Sequence, residues 1–289
     1  MSINEKYTRV LELDKILSRL AEYTCCDYAK DIVLKLKPNT DFGFVIDETT
    51  KTNDALYLAS HYGTPSFSKM DNPIEQLKLA QVGGILSPKS LLNIATILRQ
   101  VRVLLEWYSQ CENHQNSLKP IFELLIPNRD LEKRITKVFI SEDEIDDYAS
   151  DELLNIRRKI KQLGAKIKED LDKMIRSSTY QKALQDNIIT MRDGRYVLPV
   201  KAEYKGLVHG LVHDTSSSGA TLFIEPMSVV EANNDIRVLK SKEKAEIERI
   251  LAELSKHCAD FADSIAGNFE TLICLNIYFA KASLAVDMK

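Results

Sequence analysis

The chain has 289 residues, 44% hydrophobic and 28% charged, with a formal net charge of −3. That length admits one large domain or two to three small ones. The near-neutral balance excludes a global field drawing the protein onto nucleic acid or membrane, so any polyanion site must be a local basic patch.

The N-terminal stretch, residues 1–17, carries charges throughout and does not read as a secretory signal. From Val10 to Tyr23 the spacing of Leu13, Ile16, Leu17 and Leu20 predicts an amphipathic helix. Five cysteines (Cys25, Cys26, Cys111, Cys258, Cys274) form no C-x-x-C pair, which points to a reducing compartment rather than a disulfide framework or zinc ribbon. No window approaches the roughly 18 uninterrupted apolar residues of a membrane span. A soluble cytoplasmic protein is expected.

Residues 61–73 are loop-like, broken by Gly, Pro, Ser and Asn. Gly83–Ser90 imitates a phosphate-binding loop, but Pro88 stands where a second glycine belongs and has no N–H for a phosphate. It reads better as a loop followed by a helix from Pro88 to about Tyr108, with Ser87 as its cap. A change comes at Ser150, which can cap a long helix with a seam of Leu153, Ile156, Ile160, Leu163, Ile167 and Met174. Asp170 interrupts that seam with Leu171 as substitute, and nothing in the sequence explains Gly164. A second long helix is expected from the Ser228/Glu231 capping box through Ile236, Leu239, Ile250, Leu254, Phe261 and Ile265. The two should pair antiparallel.

Between them the period falls to two. Strands are expected over 187–192, 195–201, 206–214 and 220–226, with Asp193-Gly194 as a hairpin turn and Pro199 on an edge strand. The fold class is therefore mostly α with a small antiparallel β-module at the tip of a helical stalk.

Three chemistries compete for the serine cluster Ser216–Ser218. A nucleophile would need glycines on both sides, and His213 and Asp214 are strand neighbours pointing to opposite faces. A hydroxyl-rich phosphate contact and a solvated hairpin tip both remain open. His209 and His213, four apart on a strand, are too distant to share a metal. From Glu152 to Lys205 thirteen Lys and Arg face seven Asp and Glu, a local +6. A solvated coiled-coil face explains part of this, and a phosphate-tracking surface explains the excess. Arg192, Arg195, Lys201 and Lys205 flank turns of the β-module, so with His213, Ser216, Ser217, Ser218 and Gly219 they form the candidate DNA-binding set. No catalytic, cofactor or metal residues are expected.

These stretches, "LELDKIL", "VGGILSPKSLL", "ITMRDGRYVLPVKAEYKGLVHGLVHDTSSSGATLFIEP" and "VVEANNDI", resemble the MutS family and, within it, the second bacterial subfamily that carries a C-terminal Smr nuclease domain. The resemblance implies a helical core (1–149), an ascending lever helix (150–183), a β clamp (184–226), a descending lever (227–266) and a return to core (267–289). It also implies that the parent protein continues into an ATPase domain, which holds ATP and Mg, and then the Smr domain. This chain would be a non-enzymatic portion. For the parent it implies a homodimer, ATP-coupled binding to branched or duplex DNA, suppression of homologous recombination and nicking. A weak dimer or monomer is expected for this chain, associated with the nucleoid or with ribosomes. Some relatives split collided ribosomes, so a ribosome-binding module is the alternative. "FIE" at 223–225 lies inside an apolar strand and is too short a match to a base-stack wedge to count, and the subfamily's lack of a mismatch-sensing domain discounts it further.

Overall fold

The computed structural model describes residues 10–111 and 116–288. The first nine residues of the charged N-terminal stretch, and Lys289, lie outside them. Contacts divide the chain at Asp146/Asp147 and at Ile250/Leu251 into two units. Among the described residues there are eleven α-helices and one four-stranded antiparallel sheet, a mostly α architecture with a small β-module.

The first unit is helical. Helices α1 (Leu13–Glu22), α2 (Asp27–Leu34), α3 (Phe42–Tyr62), α4 (Ile74–Gln81), α5 (Pro88–Ser109), α6 (Lys119–Phe122) and α7 (Arg129–Val138) surround α11 (Ala262–Asp287). The α5 start follows the sequence: Ser87 Oγ accepts from Ser90 N and Pro88 opens the helix. Phe269, Leu272, Leu275 and Phe279 of α11 meet Leu58, Leu104 and Phe122 in one core. That encirclement makes α11 apolar nearly all round. By length and composition α11 is apolar enough to cross a membrane, but 61% of its apolar window is buried inside the protein. The five cysteines are free.

The second unit, Asp147–Ile250, pairs α8 (Asp151–Arg176), followed by the single turn α9 (Ser178–Gln181), with the first part of α10 (Met227–Asp260), whose residues from Leu251 onward belong to the first unit. Ser150 Oγ accepts from Leu153 N as the expected cap and donates to the buried Glu246 at 2.7 Å. Arg157 Nε donates to Glu243 at 2.7 Å. Ile167, Leu171 and Ile175 meet Val229 and Ile236 further along, so the pair is antiparallel as expected.

Several local expectations are corrected. The α8 seam runs on through Leu171 and Ile175, with Met174 only half-buried, because the second half of the helix also faces the sheet. Gly164 acquires a reason: a Cβ there would lie 3.1 Å from the Tyr196 hydroxyl, so the glycine is the notch into which the sheet docks. The second helix begins at Met227, one residue before Ser228. Strand and helix join without a loop, with Met227 N donating to His209 O, so Ser228 lies inside the first turn rather than at the cap. Phe261, 45% exposed, breaks the helix rather than belonging to its seam.

Strands β1 (Thr190–Arg192), β2 (Arg195–Lys201), β3 (Gly210–Thr215) and β4 (Thr221–Pro226) form the sheet in the order β1-β2-β4-β3. Asp193 and Gly194 both have positive φ (51° and 76°), as a type I′ hairpin requires. Pro199 is not on an edge strand, since β2 lies between β1 and β4. The proline is tolerated because its carbonyl, and hence the side its N–H would use, faces Gln185 N (2.9 Å), beyond the three-residue reach of β1. The third strand starts at Gly210, four residues later than expected. Ala202–Tyr204 forms a 3-10 turn, and the chain then plugs Val208 into the core before the strand begins.

Candidate nucleic-acid interface

The sheet has two chemically different faces. Leu198, Val200 and Ile224 are paired across strands and face the α8 core, so the alternate residues share the other face. These include Arg195, Pro199, Lys201, Phe223 and Glu225.

Glu225 is fully buried, and a buried carboxylate must be matched by cations and donors. Arg195 Nη1 lies 2.8 and 3.0 Å from its two oxygens, and Arg195 Nη2 donates to Asn234 Oδ1 at 2.6 Å. His213 Nε2 donates to Glu225 Oε2 at 2.5 Å. A β-bulge between Val212 and Asp214 places His213 there: the extra residue turns its imidazole toward the glutamate while Asp214 resumes pairing with Phe223. Close strand approach is part of the same arrangement, since a Cβ on Gly210 would lie 2.1 Å from the Glu225 carbonyl oxygen. Arg192 is committed as well. Its guanidinium lies 3.8 Å from the Phe223 ring centroid and its Nε is 3.0 Å from Asp214 Oδ2.

The other end of the sheet is different. The turn Ser216–Gly219 joins β3 to β4, closed by Gly219 N donating to Ser216 O at 2.8 Å and by Thr221 N donating to Ser216 Oγ at 3.0 Å. Gly219 adopts φ 73°, which lets the backbone turn without a side chain in the way. Ser216, Ser217 and Ser218 are short hydroxyl donors on this turn, and Ser217 and Ser218 are exposed. Lys201 pairs in register with Thr221, and Ala202 N donates to Ala220 O at 3.0 Å, so the Lys201–Lys205 turn and the serine turn share this end. Lys201 Nζ reaches only the Lys182 carbonyl, at 3.4 Å. Among the described residues no carboxylate pairs with Lys182, Lys201 or Lys205.

The nine candidates therefore fall into two groups. Lys201, Lys205, Ser216, Ser217, Ser218 and Gly219 come together at one end, whereas Arg192, Arg195 and His213 are held on carboxylates within the sheet face. The reading of the sequence missed Tyr204, exposed between the two lysines, for which an aromatic inside the Lys-Ala-Glu-Tyr-Lys run was the available signal. The second unit as a whole carries eighteen Lys and Arg against sixteen Asp and Glu, a net +2 in a chain of −3.

Fold and site together define a helical protein that carries a small antiparallel sheet beside an antiparallel helix pair, with a cationic, hydroxyl-bearing end. No family model matches the chain. It is 44% identical over 287 residues to a protein named Endonuclease MutS2 from Ruminiclostridium cellulolyticum, and 43% identical over 288 residues to one of that name from Acetivibrio thermocellus. A third, from Clostridium perfringens, is 42% identical over 288 residues. Each alignment covers 99% of this chain and 36% of the relative. The chain belongs to the MutS2 family and spans about 36% of the length of the relatives it matches.

Proposed function

We propose that the second unit binds branched or duplex DNA through its phosphates and performs no chemistry itself, as the clamp of a longer MutS2 protein. The parent would couple ATP to that binding, nick DNA and restrain homologous recombination. The observation that carries this reading is the placement of Lys201 and Lys205, with no carboxylate partner among the described residues, beside a turn of three serines. Lysines that contact phosphates release condensed counterions from DNA, and hydroxyls and backbone N–H groups fix register without reading sequence. The neutralised Arg192 and Arg195 fit the internal frame of the clamp. The reading places the protein with the nucleoid in the cytoplasm, as a monomer or weak dimer.

The test is fluorescence anisotropy with a labelled four-way junction, run beside purified ribosomes. Junction binding that falls strongly on Lys201→Glu with Lys205→Glu is expected. Replacing the three serines with alanine should weaken it less, since each neutral hydrogen bond contributes only about 0.5–1.5 kcal/mol. Ribosome binding tighter than junction binding, or a folded charge-reversal variant with full junction affinity, would sink the proposal.

A further inference from the structure

The Lys201–Lys205 turn holds a side chain that neither the packing nor the lysines explain. Val208 is 2% exposed and anchors this segment in the core behind the sheet. Tyr204, 37% exposed, is no part of that core, and Leu207 beside it is 39% exposed. The two are tied by Leu207 N donating to Tyr204 O at 2.9 Å, and Lys205 N donating to Ala202 O closes the 3-10 turn that carries Tyr204. Among the described residues the Tyr204 hydroxyl has no hydrogen-bond partner and its ring no aromatic or cationic one. Glu203, its neighbour, is exposed, and successive side chains on a 3-10 turn diverge by about 120°. An aromatic ring with an adjoining aliphatic side chain, between two unpaired lysines, has the composition of a single-strand stacking platform: cations track the backbone while the ring takes a base face.

We propose that Tyr204 stacks on an unpaired base of DNA held at this end of the sheet, and that this contact makes the clamp bind gapped or branched DNA more tightly than fully paired DNA. This rests on the DNA-binding reading above. Paired bases present no free face to the ring, so the contact forms only at gaps, junction centres and frayed ends. Lys201 and Lys205 contribute equally to both kinds of DNA, and Tyr204 separates them.

The test uses the whole chain, as wild type, Tyr204→Ala and Tyr204→Trp, against a 30-base-pair duplex, the same duplex with a central single-stranded gap, and single strands of one sequence as DNA and RNA. Tyr204→Ala should bind gapped and single-stranded DNA about 5- to 150-fold less tightly, with duplex affinity and salt dependence unchanged. Tyr204→Trp should restore the binding. An equal loss on duplex and gapped DNA, or no loss on gapped DNA, would overturn the inference while leaving the clamp reading intact. Tighter wild-type binding to the RNA strand would overturn the assignment to DNA. A wild-type chain that binds no DNA at all would remove the clamp reading and this inference with it.

Discussion

Arg195→Ala separates a structural cation from a phosphate-binding one. The substitution removes the guanidinium from both oxygens of Glu225 and from Asn234, leaving a carboxylate with no exposed surface facing only His213. Breaking a buried ion pair from one side costs about 3–5 kcal/mol. The Arg195 side chain keeps 14% of its surface in solvent, so water softens the loss toward the lower end, about 3 kcal/mol. With a urea slope of about 1–2 kcal/mol per molar, the unfolding midpoint of the second unit should drop by about 2 M. Hydrogen exchange at Val197, Leu198 and Ile224 reads that unit alone. Replacing Arg195, Glu225 and His213 together by Met, Leu and Phe should recover most of the loss, because an apolar trio leaves no charge unmatched. At temperatures where Arg195→Ala remains folded, its DNA affinity should keep the wild-type salt slope. A cost below about 1 kcal/mol, as for an exposed pair, or the loss of about one unit of slope, would refute the assignment.

Gly164→Ala trades about 1 kcal/mol of helix propensity against a 3.1 Å approach to the Tyr196 hydroxyl, so it should be nearly neutral alone and stabilising by about 1 kcal/mol with Tyr196→Phe, read by thermal unfolding. Gly164→Leu should destabilise by about 1–3 kcal/mol, and a neutral result would deny the notch. The Arg102 guanidinium, in two hydrogen bonds with the buried Glu132, holds that carboxyl below the usual carboxylate range. Its stabilisation is therefore complete above that range and lost as pH falls through the lowered folded value, so Glu132→Gln should flatten the acid limb of a melting-temperature profile. The purified chain should hydrolyse neither ATP nor DNA. ATP hydrolysis that survives purification and disappears on Lys89→Ala would reinstate the loop at Gly83–Ser90.

The helix starts at Ser87 and Ser150 and the Asp193-Gly194 turn were legible because each is a local exchange of hydrogen bonds or dihedral freedom that the chain settles within a few residues. The strand pattern around Pro199 and Gly206–His209 was not. Apolar alternation fits a strand equally well whether Val208 lies in a ladder or plugs a core from a turn, and Pro199 is tolerated only because of where β1 stops. The candidate site was half legible for the same reason. Arg195 and Lys201 stand at the two ends of one strand and look alike in sequence. What separates them is Glu225, thirty residues past Arg195, and a bulge that brings His213 onto the same carboxylate. Gly164 was unexplained until Tyr196 supplied its partner. Residue type set the chemistry available, and tertiary pairing decided which cations remained free.

The most direct measurement is the salt dependence of four-way-junction affinity for the wild-type chain and for Lys201→Ala with Lys205→Ala. If both lysines contact phosphates, the slope of log K against log salt should fall by about two units, with each counterion-releasing contact removing about 0.9. A folded double variant with the wild-type slope would contradict the assignment of the phosphate-binding surface to this end of the sheet.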